Sequence, residues 1–502
     1  MFPGMPTSFP LPGRARRRAR VRIAAGLTAA ALALVAGRAP EIQGPRQRGP
    51  LTTGEFALVH VTAISMTRAR VIPDATVLVK DGRIAWIGKG PGPRRGAGVR
   101  VIDGTGKYLI PGLADMHTHL FSDAEAVDDS AGPAELGVML ANGVTTARLM
   151  IGTPAHLVLR ARVAEGSVLG PKLWVAGPQV AGRPDQHTLV ATTDSAARAA
   201  VRTVRAAGYD FVKLTNFITP AVYEAVIDEA RKAGIRVVGH VDPAVGIQRA
   251  LQTGEQLEHL DSFFEAVLAD SSPIRESVTQ YGVFRNPNWA SLDHIDDRKI
   301  DRLAGQVARA GAVIGPTQNV FNTAFAIGET DSAVRNRPDW TMWPVALREG
   351  YLRAKARYWN AEGVAAKTEA RRQRYVEVRN RLVRAIHDSG GKIMAGSDTP
   401  EWFHTYGWGL HRELEALVAA GLTPYEALEA ATVVPAEFLG RSDFGTLAAG
   451  KRADLVLLSA NPLDQIRNTN TIEAVIFGGR WLDRSTLDAM LARGPQAIHS
   501  RP

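Results

Sequence analysis

At 502 residues, 45% hydrophobic and 22% charged, the chain has the composition of an ordinary globular protein and is longer than one hydrophobic core usually supports. Its formal net charge of +10 does not indicate a nucleic-acid partner, because Arg14, Arg16, Arg17, Arg18, Arg20, Arg22 and Arg38 supply seven of those charges with no acid among residues 1–39, and the remainder is close to neutral. The absence of cysteine excludes disulfides, thiolate metal sites and a lipid-modified cysteine.

Behind the arginine run, residues 23–37 are small or apolar, and Pro40 opens a Gly/Pro/Arg-rich stretch. A basic segment, a short apolar one and small residues at its end are the layout of a secretory signal peptide, and the apolar part is short for a membrane span. Residues 1–39 are therefore expected to be a signal peptide and 40–54 a linker. That places the mature protein outside the cytoplasm, periplasmic or extracellular, with no stable membrane span. The alternative is a cytosolic protein with a disordered basic tail. The arginine cluster permits a twin-arginine route, although the residues that usually follow the pair are missing.

Next come short strands at 57–64, 76–80, 83–87 and 99–103, separated by turns at Pro73-Asp74, Asp81-Gly82 and 104–106. Similar strands recur at 453–458 and 474–477, the latter running into Gly478-Gly479. Neither set suffices alone. A small β-sandwich domain composed of both ends of the chain, 55–110 with 443–490, is the expectation. Between them short apolar strands at 112–117, 145–150, 173–176, 210–214, 236–240, 256–259, 312–316 and 392–398 alternate with helical segments, clearest at 220–233, 244–253 and 301–310. Eight strands with helices between them predict an α/β fold of the (β/α)8 TIM-type barrel class over 111–442. One connection, at about 320–390, is much longer than the rest and carries Trp340, Trp343, Trp359 and a charged helical stretch at 362–389. On the catalytic rim it would wall or cover a pocket; padding or an oligomer contact are the alternatives, and homo-oligomerisation stays open.

The chemistry begins at residues 109–120, L-I-P-G-L-A-D-M-H-T-H-L. On a strand, side chains at i and i+2 share a face, so His117 and His119 stand together at its end. Alone, such a pair is as easily two solvated histidines. Its company changes the reading, because barrel active sites collect residues from the C-terminal ends of several strands. Lys213 lies in the fourth predicted strand, His240 ends the fifth, His259 the sixth and Asp398 the eighth. Singly these are a strand lysine, a core histidine, a solvated histidine and a turn-forming aspartate. Together they point to metal binding.

H-T-H at 117–119, the lysine of F-V-K-L-T, the histidines of V-V-G-H and L-E-H-L-D and the aspartate of A-G-S-D-T-P resemble the amidohydrolase superfamily, in its imidazolonepropionase-like branch with the Xaa-Pro dipeptidases. I-P-G-L-A-D-M-H, N-G-V-T-T at 142–146, G-L-T-P-Y-E-A-L at 421–428 and G-K-R-A-D-L-V at 450–456 strengthen the resemblance, which covers roughly 55–490. It implies a site for two divalent ions, usually Zn2+. His117, His119 and Asp398 would hold one ion, His240 and His259 the other, and a carboxylated Lys213 would bridge them. It also implies hydrolysis of a carbon–nitrogen bond through a metal-bridging hydroxide, with Asp398 taking the water's proton and returning it to the departing amine. The substrate would be a small-molecule amide, linear or cyclic, or a dipeptide.

Other residues near strand ends are weaker candidates. His187, in R-P-D-Q-H-T, and His411, in G-L-H-R-E-L-E, are candidate substrate contacts; Arg148, Asn216, Gln318 and the aromatic stretch 401–408 follow at lower rank. Three functions remain open: an exported metal-dependent amidohydrolase acting on a non-peptide C–N bond, an exported metallo-dipeptidase of the Xaa-Pro type, and a non-catalytic metal-binding exported protein.

Overall fold

The computed structural model describes residues 54–499 apart from 68–70, 97, 121–130, 186, 282–287, 324–329, 344–347, 351, 354–355, 357–367 and 401–403. The expected signal peptide, nearly all of the linker, Trp359 and residues 401–403 lie outside the described residues.

Strands from the two ends of the chain share one sheet. They are β1 (Phe56–Ile64), β2 (Val71–Lys80), β3 (Arg83–Lys89), β4 (Arg100–Asp103) and β5 (Tyr108–Pro111), with three further strands from residues 455–483 described below. Between these groups lie β6 (Leu113–Thr118), β7 (Val144–Leu149), β8 (Lys172–Val175), β9 (Gln179–Ala181), β10 (Thr188–Val190), β11 (Phe211–Leu214), β12 (Arg236–Gly239), β13 (Gln256–Glu258), β14 (Val313–Gly315) and β15 (Lys392–Ile393). The chain finishes its strands with β16 (Leu455–Leu458), β17 (Ile472–Phe477) and β18 (Arg480–Asp483).

The terminal sheet runs β18-β17-β16-β5-β1-β2-β3, with β4 parallel beside β1, so all eight strands belong to a single hydrogen-bonded sheet. Alternation along β1 sends Phe56 and Leu58 to a core shared with Val77, Ile84, Leu109, Leu455 and Ile476, while Ala57 and Val59 meet Trp86 and Val99 on the other face. Its junction is antiparallel: β16 pairs with β5 in the register Val456 to Ile110.

The central strands pair in parallel, in two sheets of order β6-β7-β8 and β10-β9-β11-β12-β13-β14-β15. β6, β7 and β11 are buried at every residue, as strands covered on both faces require. Single parallel bridges, Ala176 with Phe211 and Thr118 with Thr399, link the two sheets. Met116 also donates to the Ala395 carbonyl (3.1 Å), and Asp398 to that of His117 (2.7 Å), so β6 lies edge to edge with the chain after β15. Ala114, Met116, Phe211, Val238 and Met394 then pack with Phe438 and Phe444 in one apolar cluster.

The helix predicted at 220–233 forms with those bounds, because each end carries its stop signal. Thr219 Oγ1 accepts the Val222 N–H, Pro220 sits in the first turn, and Gly234 caps the last at φ 62°. Those predicted at 244–253 and 301–310 run Ile247–Thr253 and Arg298–Arg309. Within the long connection the helix Glu369–Asp388 buries Tyr375, Val378, Leu382 and Ile386 in the main core. Strand 392–398 is shorter than the sequence suggested. It is regular only at Lys392–Ile393, and Asp398 turns left-handed at φ 53°, which ends any ladder. No helix among the described residues is long and apolar enough to cross a membrane.

Candidate metal centre

His117 lies near the end of β6 and His119 just past it, where its N–H donates to Thr399 O at 2.7 Å. Lys213 is in β11, His240 follows β12, His259 follows β13, and Asp398 follows β15. These five places converge. Ring centroids stand 5.3 Å apart for His117 and His119, 4.6 Å for His117 and His259, and 4.5 Å for His240 and His259. Asp398 Oδ1 lies 3.1 Å from His119 Nε2 and 3.5 Å from His117 Nε2, and Oδ2 lies 3.9 Å from His259 Nδ1. Among the described residues, His117, His119 and Asp398 form a group whose ligand atoms all fall within 4.8 Å of one another.

Burial sets the charges. It holds the His117, His240 and His259 imidazoles well below their ordinary range, so they are neutral and can donate a lone pair. Lys213 is 1% exposed, and burial lowers its ammonium to about 8 against the opposing pull of Glu258 and Asp398. Its charge is felt at all three of those imidazoles, yet among the described residues its Nζ has no hydrogen-bond partner, and neither does His119 Nδ1. Burial works to raise Asp398, but the His117 and His119 rings and Lys213 bring it down to about 2. An unpartnered buried amine, neutral imidazoles and an ionised carboxylate fit a site for divalent cations better than a packed core, where such atoms would be satisfied.

Nδ1 of each of His117, His240 and His259 is held by a residue that sequence reasoning did not single out. His117 Nδ1 is 2.9 Å from Glu258 Oε2, His240 Nδ1 is 2.7 Å from Asp261 Oδ2, and His259 Nδ1 is 2.8 Å from Thr317 Oγ1. Such partners fix ring orientation and tautomer. Glu258 also takes a charged bond from Arg148, whose Nη1 donates to Gln256 Oε1 at 2.6 Å. The L-E-H-L-D segment held the available signal, since its two acids flank His259. Left-handed backbone gathers here as well: Phe217, His259, Leu260, Ser262, Thr317 and Asp398 all have φ between 44° and 66°.

The weaker candidates separate. His187 is half-buried at φ 54°, and its charge is felt at His156, which also feels His119. His411 does not join the group. It is enclosed, with Nδ1 2.9 Å from Thr469 Oγ1 and Nε2 3.0 Å from the Asn142 carbonyl, and burial lowers it to about 4. Both ring nitrogens brace the interior, which leaves none for a substrate. Arg148 and Gln318 are buried too, the first against Glu258 and the second against Asn380 and Arg379. The Asn216 carbonyl accepts the Gly182 N–H at 3.4 Å. His404, Thr405 and Tyr406 are buried and line a small cavity with Met342 and Trp343.

The model of the amidohydrolase family matches residues 108–304 and 351–482, more than half of the chain. The chain belongs to the amidohydrolase family. This amidohydrolase is 23% identical to adenine deaminase 3 of Rhizobium meliloti over 402 residues, which cover 79% of this chain and 53% of that protein. It is 26% identical to the imidazolonepropionase of Cupriavidus taiwanensis over 263 residues, 41% of this chain and 63% of that protein. Among solved structures, bottromycin amidohydrolase superposes with a TM-score of 0.69 at 25% identity, covering 89% of this chain and 91% of that one. A putative prolidase from Bifidobacterium longum gives 0.61 at 27% identity, covering 88% and 99%. The amidohydrolase spans about half the length of the adenine deaminases it matches over most of its own length.

Proposed function

We propose that this amidohydrolase uses two divalent ions, most simply Zn2+, to hydrolyse a C–N bond of a small molecule, a linear or cyclic amide that is not a peptide. One observation carries the reading: four imidazoles, the Asp398 carboxylate and the buried Lys213 amine, which has no hydrogen-bond partner among the described residues, gather at or just past the ends of five strands. His117, His119 and Asp398 would hold one ion, His240 and His259 the other. Lys213 would bridge them as a carbamate. With its pKa near 8, part of the amine is neutral at pH 7. That nitrogen bonds to the carbon of CO2, one C=O electron pair moves onto oxygen, and a proton leaves to solvent. A misplaced cation thereby becomes a two-oxygen anion.

When bound, the ions would supply an acidified water and polarise the substrate carbonyl. The protein's own groups do the rest. Asp398, held by His119 at 3.1 Å, accepts the water's proton on a carboxylate oxygen as the new C–O bond forms. It returns that proton to the nitrogen as the C–N bond breaks, so a neutral amine departs. Glu258, Asp261 and Thr317 keep the imidazoles aimed inward throughout.

The reading sets this chemistry at one rim of a closed (β/α)8 barrel, beside a smaller β domain from residues 55–110 and 443–490. The two sheet-joining bridges, the edge contact between β6 and the chain after β15 and the apolar cluster between strands support that closure. Export to the periplasm or exterior is part of the proposal, on the composition of residues 1–39 alone. A second reading, a dipeptidase of the Xaa-Pro type, is favoured by the likeness to the putative prolidase across nearly its whole chain. Purified protein should carry two equivalents of metal and cleave members of a panel of lactams, N-acyl amines and dipeptides. Cleavage confined to dipeptides selects the second reading, and a two-metal protein inert to every amide overturns both.

A further inference from the structure

The chain turns sharply at the end of β14, and Thr317 there takes φ 44°, a conformation β-branched residues seldom adopt. That turn places Thr317 Oγ1 2.8 Å from His259 Nδ1. Two oppositely charged side chains, both 0% exposed, hold it from two helices. Glu413, on the helix Trp408–Ala419, accepts the N–H groups of Gln318 (2.9 Å) and Asn319 (2.7 Å). Arg379, on the helix Glu369–Asp388, donates to the Pro316 carbonyl (2.6 Å), to Gln318 Oε1 (3.1 Å) and to the carbonyl of His259 itself (2.9 Å). The Arg379 guanidinium lies 4.5 Å from the centroid of Phe321, whose ring stands 5.4 Å from that of His259. Arg379 therefore touches the histidine's backbone, the turn that holds its ring and the aromatic side chain beside it.

We propose that Arg379, in the long connection after β14, and Glu413, in the helix Trp408–Ala419 after β15, are positioning residues for the His259 side of the metal pair and act on one ion and not the other. The inference rests on the reading of His240 and His259 as ligands. The asymmetry follows from the hydrogen bonds: the donors to the other ion are anchored through β6, Glu258 and the residues just after β15, whereas Arg379 donates to Pro316, Gln318, Tyr375 and His259. A fork that meets carbonyls of two strand ends at once fixes their spacing, which a single-point donor cannot do.

The test is titration of metal-free full-length protein with Zn2+, following stoichiometry and the affinity of each step, with circular dichroism to confirm folding. Wild type should bind two ions. Arg379→Gln should bind the first as wild type does and the second roughly 10–100-fold more weakly. Thr317→Val should show the same selective loss, while Thr317→Ser, which keeps the hydroxyl, should restore the second step. Should Arg379→Gln not fold, Glu413→Gln and the Thr317 pair give the same readout. Unchanged binding of both ions, or equal weakening of both, overturns the positioning role while leaving the two-metal reading in place. A wild type that never takes up a second ion overturns that reading, and this inference with it.

Discussion

Nδ1 of His117 lies 2.9 Å from Oε2 of Glu258, a residue 141 positions away whose other oxygen is held by Arg148. One fully buried carboxylate therefore both aims an imidazole and neutralises a buried guanidinium. Glu258→Ala leaves Arg148 uncompensated and should cost about 3–5 kcal/mol of stability in urea unfolding of the metal-free protein. The double variant Arg148→Met with Glu258→Leu should cost much less than the sum of the two singles. Additive losses would show that the pair is not coupled.

Lys213→Ala removes the amine proposed to bridge the ions. At least one equivalent of metal and nearly all activity should disappear, with elemental analysis as the measure. Reloading metal-free wild type in CO2-depleted buffer should be incomplete and should recover on adding bicarbonate. Full loading without CO2 would show that Lys213 is not carboxylated.

Asp398→Asn should keep much of the metal and lose turnover by roughly 10²–10⁴-fold, the usual worth of a positioned acid–base group. Steady-state kinetics beside metal analysis separates the two effects. Undiminished kcat would remove Asp398 from proton transfer.

Gly396 packs directly on β6, the strand that carries the proposed ligand His117. A Cβ added there would stand 2.6 Å from His117 Cβ and 2.9 Å from its backbone nitrogen. Gly396→Ala should cost about 1–3 kcal/mol and weaken metal binding by displacing His117. A variant with wild-type stability and metal content would mean that the strands part without consequence.

Glu255, a buried acid outside the proposed ligand set that feels the Lys213 charge, supplies a pH dependence. Burial raises it to about 8 from an ordinary value of 4.5, although the Tyr223 hydroxyl donates to it at 2.9 Å. The folded protein thus holds a proton that the unfolded chain releases between those values. The stability this protonated acid contributes is complete below pH 4.5 and is lost as pH rises through 8. Unfolding free energies across this window should decline in wild type and be flatter in Glu255→Gln; parallel curves would assign the decline elsewhere.

What the sequence disclosed follows from how locally each feature is encoded. The H-x-H pair depends only on strand alternation, and the helix Pro220–Ala233 only on Thr219, Pro220 and Gly234. Strand-end residues were legible because parallel strands must present their ends together. Glu258, Asp261, Thr317 and Arg379 were not, because their meaning lies in partners brought from other elements. His411 looked available for substrate only while Asn142 and Thr469 were unseen beside it. Strands as short as Gln179–Ala181 and Thr188–Val190 carry too few residues to show a period.

The pairing of β16 with β5 has a bearing on how the chain is made. Synthesis delivers Tyr108–Pro111 more than three hundred residues before Leu455–Leu458 exists, so that edge emerges from the ribosome with half of its backbone groups unanswered. A nascent chain must be shielded there until its final segment arrives, and stopping translation ahead of Leu455 should yield a sticky product even if every proposed ligand residue is already present.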